Sequence, residues 1–137
     1  MSNSRMPSNR QRNWRIASLS CLVFVLVLTH IPGEIMPPEL HEHMMDKVEH
    51  MIAYGVTAVL FLLSLRDPVR FGVLSGGLLL LAGVGAFDEL TQPLFHRTAS
   101  IWDYAADVTG IVLACLVFLV GRRPKFQYGC VVELIRR

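Results

Sequence analysis

Charge is what this 137-residue chain has least of: Asp, Glu, Lys and Arg make up 18%, against roughly a quarter in an ordinary globular protein. The charges are missing from whole stretches rather than thinned evenly, which argues against a soluble domain and against disorder. Cysteine is scarce as well. Cys21, Cys115 and Cys130 follow no disulfide or metal spacing, and the first two sit in apolar runs where a thiol acts as a small hydrophobe. The chain has no glycine-rich phosphate loop, no nucleophile elbow, no His-Glu-x-x-His and no internal repeat, which excludes the common nucleotide-binding, serine-hydrolase and zinc-protease signatures.

What is present is apolar: 53% of the residues are hydrophobic and the mean hydropathy is +0.45. A membrane span needs about 20 mostly apolar residues, with a lower limit near 17. Four stretches approach that length: Ile16 to Ile31, Val48 to Leu65, Phe71 to Phe87 and Ile101 to Val120. Pro32-Gly33, Asp67-Pro68, Asp88-Glu89 and Gly121 through Pro124 close them in turn. Thr29-His30-Ile31 offers no small-x-small cleavage pattern, so the first stretch reads as an uncleaved anchor rather than a signal peptide. The expected fold is an all-α integral membrane protein, a four-transmembrane-helix bundle over residues 15–123. A disordered basic cytoplasmic arm (1–14) precedes it. A cytoplasmic tail (124–137) follows, whose alternating aromatic, apolar and basic residues suit an amphipathic segment on the inner surface.

Eleven of the 13 Lys and Arg residues lie in the N-terminal arm, the link between spans two and three, and the tail, which leaves only Lys47 and Arg97 on the other side. The positive-inside rule then places both termini in the cytoplasm. Nine of the 11 acidic residues fall at or beyond the external face. The basic excess therefore reads as topology, and nucleic acid is not an expected partner.

The informative residues sit in the external halves of spans two, three and four. At about 100° per residue, Asp46, Lys47, His50 and Tyr54 share one helix face. Asp88, Glu89 and Gln92 share another, and Ser100, Asp103, Asp107 and Gly110 a third. An ionised side chain facing lipid costs at least about 3 kcal/mol, so the three stripes should face one another. Capping is a competing reading, since Asp46 with Glu49 and Ser100 with Asp103 both fit a capping box. It does not serve Asp88 and Glu89, at the C-terminal end of an outward-running helix, where the dipole opposes negative charge and a cation is expected. A purely structural charge network is a second competing reading. Asp107, a turn deeper than Asp103, argues for function, because intramembrane carboxylates mark sites by default. His30 reads as an interfacial histidine. The external loop holds His41, His43, Met44 and Met45 in a spacing that fits no closed zinc or calcium site, so no metal ligand is assigned there. The glycines of span three, with Gly110 and Ala114 of span four, predict close packing of those two helices.

The ordered set Asp46-Lys47-x-x-His50-x-x-x-Tyr54, Asp88-Glu89-x-x-Gln92 and Arg97-x-x-Ser100-x-x-Asp103-x-x-x-Asp107-x-x-Gly110 resembles the VanZ-like family of small bacterial membrane proteins. The resemblance covers about Asp46 to Val120. Asp107 stands where the family often has asparagine, and the long first external loop has no counterpart in it. The resemblance implies a cell-envelope role, with a link to low-level resistance to the glycopeptide teicoplanin, and supplies no catalytic assignments.

The residues themselves lead to a chamber opening outward that binds or modifies a membrane lipid or lipid-linked envelope precursor. Lys47 and Arg97 would hold phosphate or carboxylate, the latter through its planar fork. His50, oriented by Asp46 or by an acid across the helices, is the expected general base. Asp88, Glu89 and Asp107 would set the proton balance. Gln92, with Tyr54, Ser100 and Asp103, would complete the polar lining. Cofactor use and oligomeric partner stay open, and a metal-dependent form would take His50 and the acids as ligands. The rival classes are a non-enzymatic binder or sensor and an ion- or proton-coupled carrier, the latter weakened by the lack of an inverted repeat.

Overall fold

The computed structural model describes residues 8–32, 43–66, 69–122 and 126–127. Four helices dominate: α1 (Asn9–Thr29), α2 (His43–Leu63), α3 (Phe71–Thr91) and α4 (Ile101–Arg122). A 3-10 turn, Gln92–Phe95, follows α3. Two short strands, β1 (Val69–Arg70) and β2 (Phe126–Gln127), pair in parallel, Val69 opposite Phe126.

The helix limits follow from local chemistry. Ser8 caps α1: its hydroxyl accepts from the Gln11 N–H at 3.3 Å, and the Gln11 side chain accepts from the Ser8 N–H at 3.1 Å. This reciprocal box starts the helix at Asn9, inside the arm expected to be disordered through residue 14. α2 ends at Leu63 in a tightened last turn, where the Ser64 N–H donates to the Leu60 and Phe61 carbonyls and the Leu65 N–H to the Leu62 carbonyl. α3 runs past the expected end at Phe87, so Asp88 and Glu89 lie on the helix itself. Pro93, which has no N–H to give, sits in the tighter turn that follows. His96, with φ of 58°, then reverses the chain through the left-handed region. The Gln92 carbonyl holds this reversal, accepting from the backbone N–H groups of His96 and Arg97.

Among the described residues, three segments are long and apolar enough to cross a membrane: Asn9–Thr29, Phe71–Phe95 and Ile101–Gly121. α2 is also 21 residues long, but Asp46, Lys47 and Glu49 occupy its first turns, and the charge-free run from His50 to Leu65 falls short of the usual limit of about 17 residues. The architecture is that of an all-α membrane protein. Large apolar side chains cover its outside, with Leu80, Leu90, Trp102 and Val120 each at least 67% exposed, as suits a hydrocarbon solvent rather than water.

α2 and α4 make the most extensive contact and run parallel, and α1 packs on α2. The pivot is glycine. A Cβ at Gly110 would collide with the Met51 carbonyl oxygen, and one at Gly55 would lie 3.4 Å from the Gly110 carbonyl oxygen. Close backbone approach therefore joins α2 to α4. Of the small face expected to join spans three and four, Gly85 does meet α4, where a Cβ would stand 3.5 Å from the Asp107 Cβ, whereas Gly72, Gly76 and Gly83 have open space around them. Below this crossing lies an apolar core of Ala58, Leu62, Leu65, Leu74, Ala114 and Phe118.

Candidate functional site

Above the crossing the interior is polar. His50, Asp88, Glu89, Gln92, Asp103 and Asp107 are all buried, Asp88 and Asp107 completely. The parallel register of α2 and α4 makes the pairs: residues a turn apart on one helix meet residues a turn apart on the other. Lys47 Nζ meets Asp103 Oδ1 at 3.4 Å. One turn deeper, His50 Nδ1 meets Asp107 Oδ1 at 2.9 Å and lies 3.7 Å from Glu89 Oε1.

Glu89 is gripped from both sides. Its Oε1 accepts from Gln92 Nε2 at 3.2 Å and its Oε2 from the Ser100 N–H at 2.8 Å. Ser100 immediately precedes α4, so Glu89 sits against the positive end of that helix dipole. The helix end thus adds to the basic partner expected for Glu89, which the structure places in His50, 3.7 Å away. Ser100 contributes through its backbone rather than through a capping box. The Asp46 to Glu49 box does not form either: α2 begins ahead of Asp46, at His43. The Asp46 carboxylate instead turns to Arg97 Nη2, 3.2 Å away. Arg97 Nη1 also donates to the Thr29 carbonyl at 3.3 Å. The guanidinium thus bridges the outer ends of α1 and α2, aimed there by the reversal at His96. His50 takes its orienting acid from across the helices, in Asp107, and not from Asp46.

Asp88 brings in a helix that the sequence reading left out. Its Oδ1 accepts from the Thr29 hydroxyl at 2.7 Å and lies 3.3 Å from His30 Nδ1. His30 is therefore more than an interfacial residue. Its Nδ1 lies 2.7 Å from the Leu26 carbonyl, its Nε2 2.9 Å from the Thr91 hydroxyl, and its ring meets Phe95 edge-on at 4.6 Å. A carbonyl only accepts, so Nδ1 carries a proton. The available signal was the pair Thr29-His30, placed at the end of span one in the same layer as the three stripes. Nothing local in the sequence says that this end turns toward Asp88.

All eleven residues singled out from the sequence come into this layer. Tyr54 closes it from below, fully buried, with its hydroxyl among the carboxylates of Asp88, Asp107 and Glu89. Four buried oxygens have no hydrogen-bond partner: Tyr54 Oη, Asp88 Oδ2, Asp103 Oδ1 and Asp107 Oδ2. Of these, Asp103 Oδ1 faces the Lys47 ammonium as an ion pair. Gly85 makes room for Asp107: a Cβ there would stand 3.0 Å from Asp107 Oδ2 and 3.4 Å from the Tyr54 ring. His41 lies outside the described residues, as do the side chains of His43, Met44 and Met45 and most of the tail.

The layer opens to one side. Between α1 and α2 a cleft of about 220 Å³ is lined by Val25, Leu28 and Ala53 on its apolar wall, and by Thr29, Asp46, His50 and Arg97 on its polar wall. Such a cleft has the two-sided character that an amphiphile needs, with a place for a chain beside a place for a head group. Glu49 stands at its edge. Comparison of the chain with protein-family models, curated proteins and solved structures finds no match, so the chemistry of this layer is what speaks for its role.

Proposed function

We propose that the chain is a VanZ-like, four-span protein of the bacterial inner membrane, with both termini cytoplasmic. Its outward polar layer binds or modifies an anionic lipid or lipid-linked envelope precursor, and glycopeptide tolerance is its physiological setting. The observation that carries this reading is the cleft, where an apolar wall of α1 and α2 adjoins Asp46, His50 and Arg97. The acyl or isoprenoid portion would lie along Val25, Leu28 and Ala53. Arg97, although bonded to Asp46, keeps part of its fork exposed and would present it to phosphate. α2 spans as the fourth helix because Asp46 and Lys47 of its first turns pair with Arg97 and Asp103 inside the bundle, which leaves Glu49 exposed at its outer end. In a modifying reaction His50 is the candidate base: it faces the cleft, and Asp107 fixes its ring.

The test is incubation of the purified protein with a lipid extract of its host, read by mass spectrometry. Retention of an anionic amphiphile is expected from the intact protein and not from Arg97→Ala. A new product would make it an enzyme, and His50→Ala should then lower turnover by about 100-fold or more. Retention without product makes it a binder. Failure to retain any anionic amphiphile would contradict the proposal.

A further inference from the structure

The cleft uses Asp46 and Arg97, yet the deeper part of the layer contains a group of ligands that lipid binding leaves unexplained. Donor atoms of His50, Glu89 and Asp107 lie within 4.8 Å of one another, and all three side chains are buried. We propose that these three hold one divalent first-row metal ion, of the zinc or manganese class, at the foot of the cleft.

Geometry is the first support. Two ligands each about 2.1 Å from a metal stand about 3.0 Å apart at a right angle and about 3.4 Å apart in a tetrahedron. The separations from His50 Nδ1, 2.9 Å to Asp107 Oδ1 and 3.7 Å to Glu89 Oε1, bracket those values, so binding needs only small side-chain movement. One imidazole with two carboxylates is a donor set suited to zinc, manganese or ferrous iron and poorly suited to calcium.

Charge is the second. Asp46 meets Arg97 and Asp103 meets Lys47, whereas Glu89 and Asp107 converge on one imidazole. A divalent ion in place of the imidazole proton would bring these two buried carboxylates one further positive charge. A second set, Asp46, His50 and Asp103, also lies within 4.8 Å, but its acids already face cations.

The third support is independent of the ligands' mutual contacts. Asp107 Oδ2 is buried and unpartnered, and Tyr54, with no exposed surface, sets its hydroxyl among the carboxylates of Asp88, Asp107 and Glu89. Around the ligands a supporting shell is in place. Gln92 and the Ser100 N–H fix Glu89, as second-shell donors orient ligating carboxylates in metal sites generally. His50 borders the cleft, which provides an entry path. Metal and proton compete for the Nδ1 lone pair, so an occupied site gives His50 a ligand's role in place of a base's. The inference stands apart from the identity of the cleft's amphiphile, since metal binding needs no lipid.

The experiment uses full-length protein in detergent, stripped with a chelator and titrated separately with Zn²⁺, Mn²⁺ and Mg²⁺. Bound metal is counted by elemental analysis, and thermal unfolding is followed in parallel. Zn²⁺ or Mn²⁺ should bind at one equivalent and raise the unfolding temperature saturably, with Mg²⁺ much weaker. The near-isosteric variants Asp107→Asn and Glu89→Gln should each bind more than about 100-fold more weakly, beyond the roughly 10- to 100-fold typical of second-shell losses. Absence of stoichiometric binding to the intact protein would overturn the proposal. So would a loss in Asp103→Asn with full binding in Asp107→Asn, which would place the ion on the neighbouring set.

Discussion

The two halves of this bundle are built on opposite rules. In the inner half, Leu62, Leu65, Leu74 and Phe118 fill the space between helices. In the outer half the same helices bury Asp88, Glu89, Gln92 and Asp107 and send Leu79, Leu80 and Leu90 outward. A bilayer makes this arrangement intelligible. Lipid tails are as apolar as leucine, so apolar helices gain little by association beyond van der Waals contact. Polar side chains have nowhere to go except toward each other. The inner half supplies shape and the outer half supplies mutual need, and Gly55 and Gly110 join the two by letting α2 and α4 touch backbone to backbone.

Substitutions that act on one half or on their junction sharpen the contrast, taken in order of expected cost to stability. Gly110→Val should cost most, more than about 3 kcal/mol, because the new side chain meets the Met51 backbone, which cannot step aside as a side chain can. Reversible unfolding in mixed micelles should find little folded protein. Leu62→Ala, fully buried in the inner half, should come next. In water-soluble cores such truncations cost about 2–5 kcal/mol. The transfer part of that is largely absent in lipid, so a loss of about 1–3 kcal/mol is expected, with ligand retention unchanged once folded. Asp107→Asn should cost least, about 1 kcal/mol, since it keeps the volume and one bond to His50. Retention should be unchanged in that variant, since Asp107 does not line the cleft, whereas turnover, which depends on the His50 ring that Asp107 holds, should collapse. Loss of function in step with loss of folded protein would instead make the outer half a second kind of scaffold.

Much of this was legible in the sequence because one rule governs it. The spans show as charge-free runs, and helical spacing alone places Asp46 with His50 and Asp103 with Asp107. That these stripes face one another follows from the cost of exposing them to lipid. Partner choice was not legible. Glu89 was expected to seek a cation and, besides facing His50, takes the Ser100 N–H, a bond that depends on how the reversal at His96 sets α4 beside α3. Thr29 and His30 were passed over because a threonine and a histidine at a helix end are common at any membrane interface. Only the packing of α1 turns them to Asp88. The glycines were legible only in part: Gly85 of span three does face Asp107 of α4, but the closest backbone approach falls where Gly55 of α2 meets Gly110 of α4.

The central claim is that this layer opens on the external side while the β1 to β2 end faces the cytoplasm. Cysteine accessibility tests it directly. In a chain with Cys21, Cys115 and Cys130 changed to serine, Glu49→Cys and Arg66→Cys would be made separately, both positions being exposed, and intact spheroplasts treated with a membrane-impermeant maleimide. Glu49→Cys should react in intact spheroplasts and Arg66→Cys only after permeabilisation. Labelling of Arg66→Cys from outside, with Glu49→Cys protected until the membrane is opened, would contradict the account.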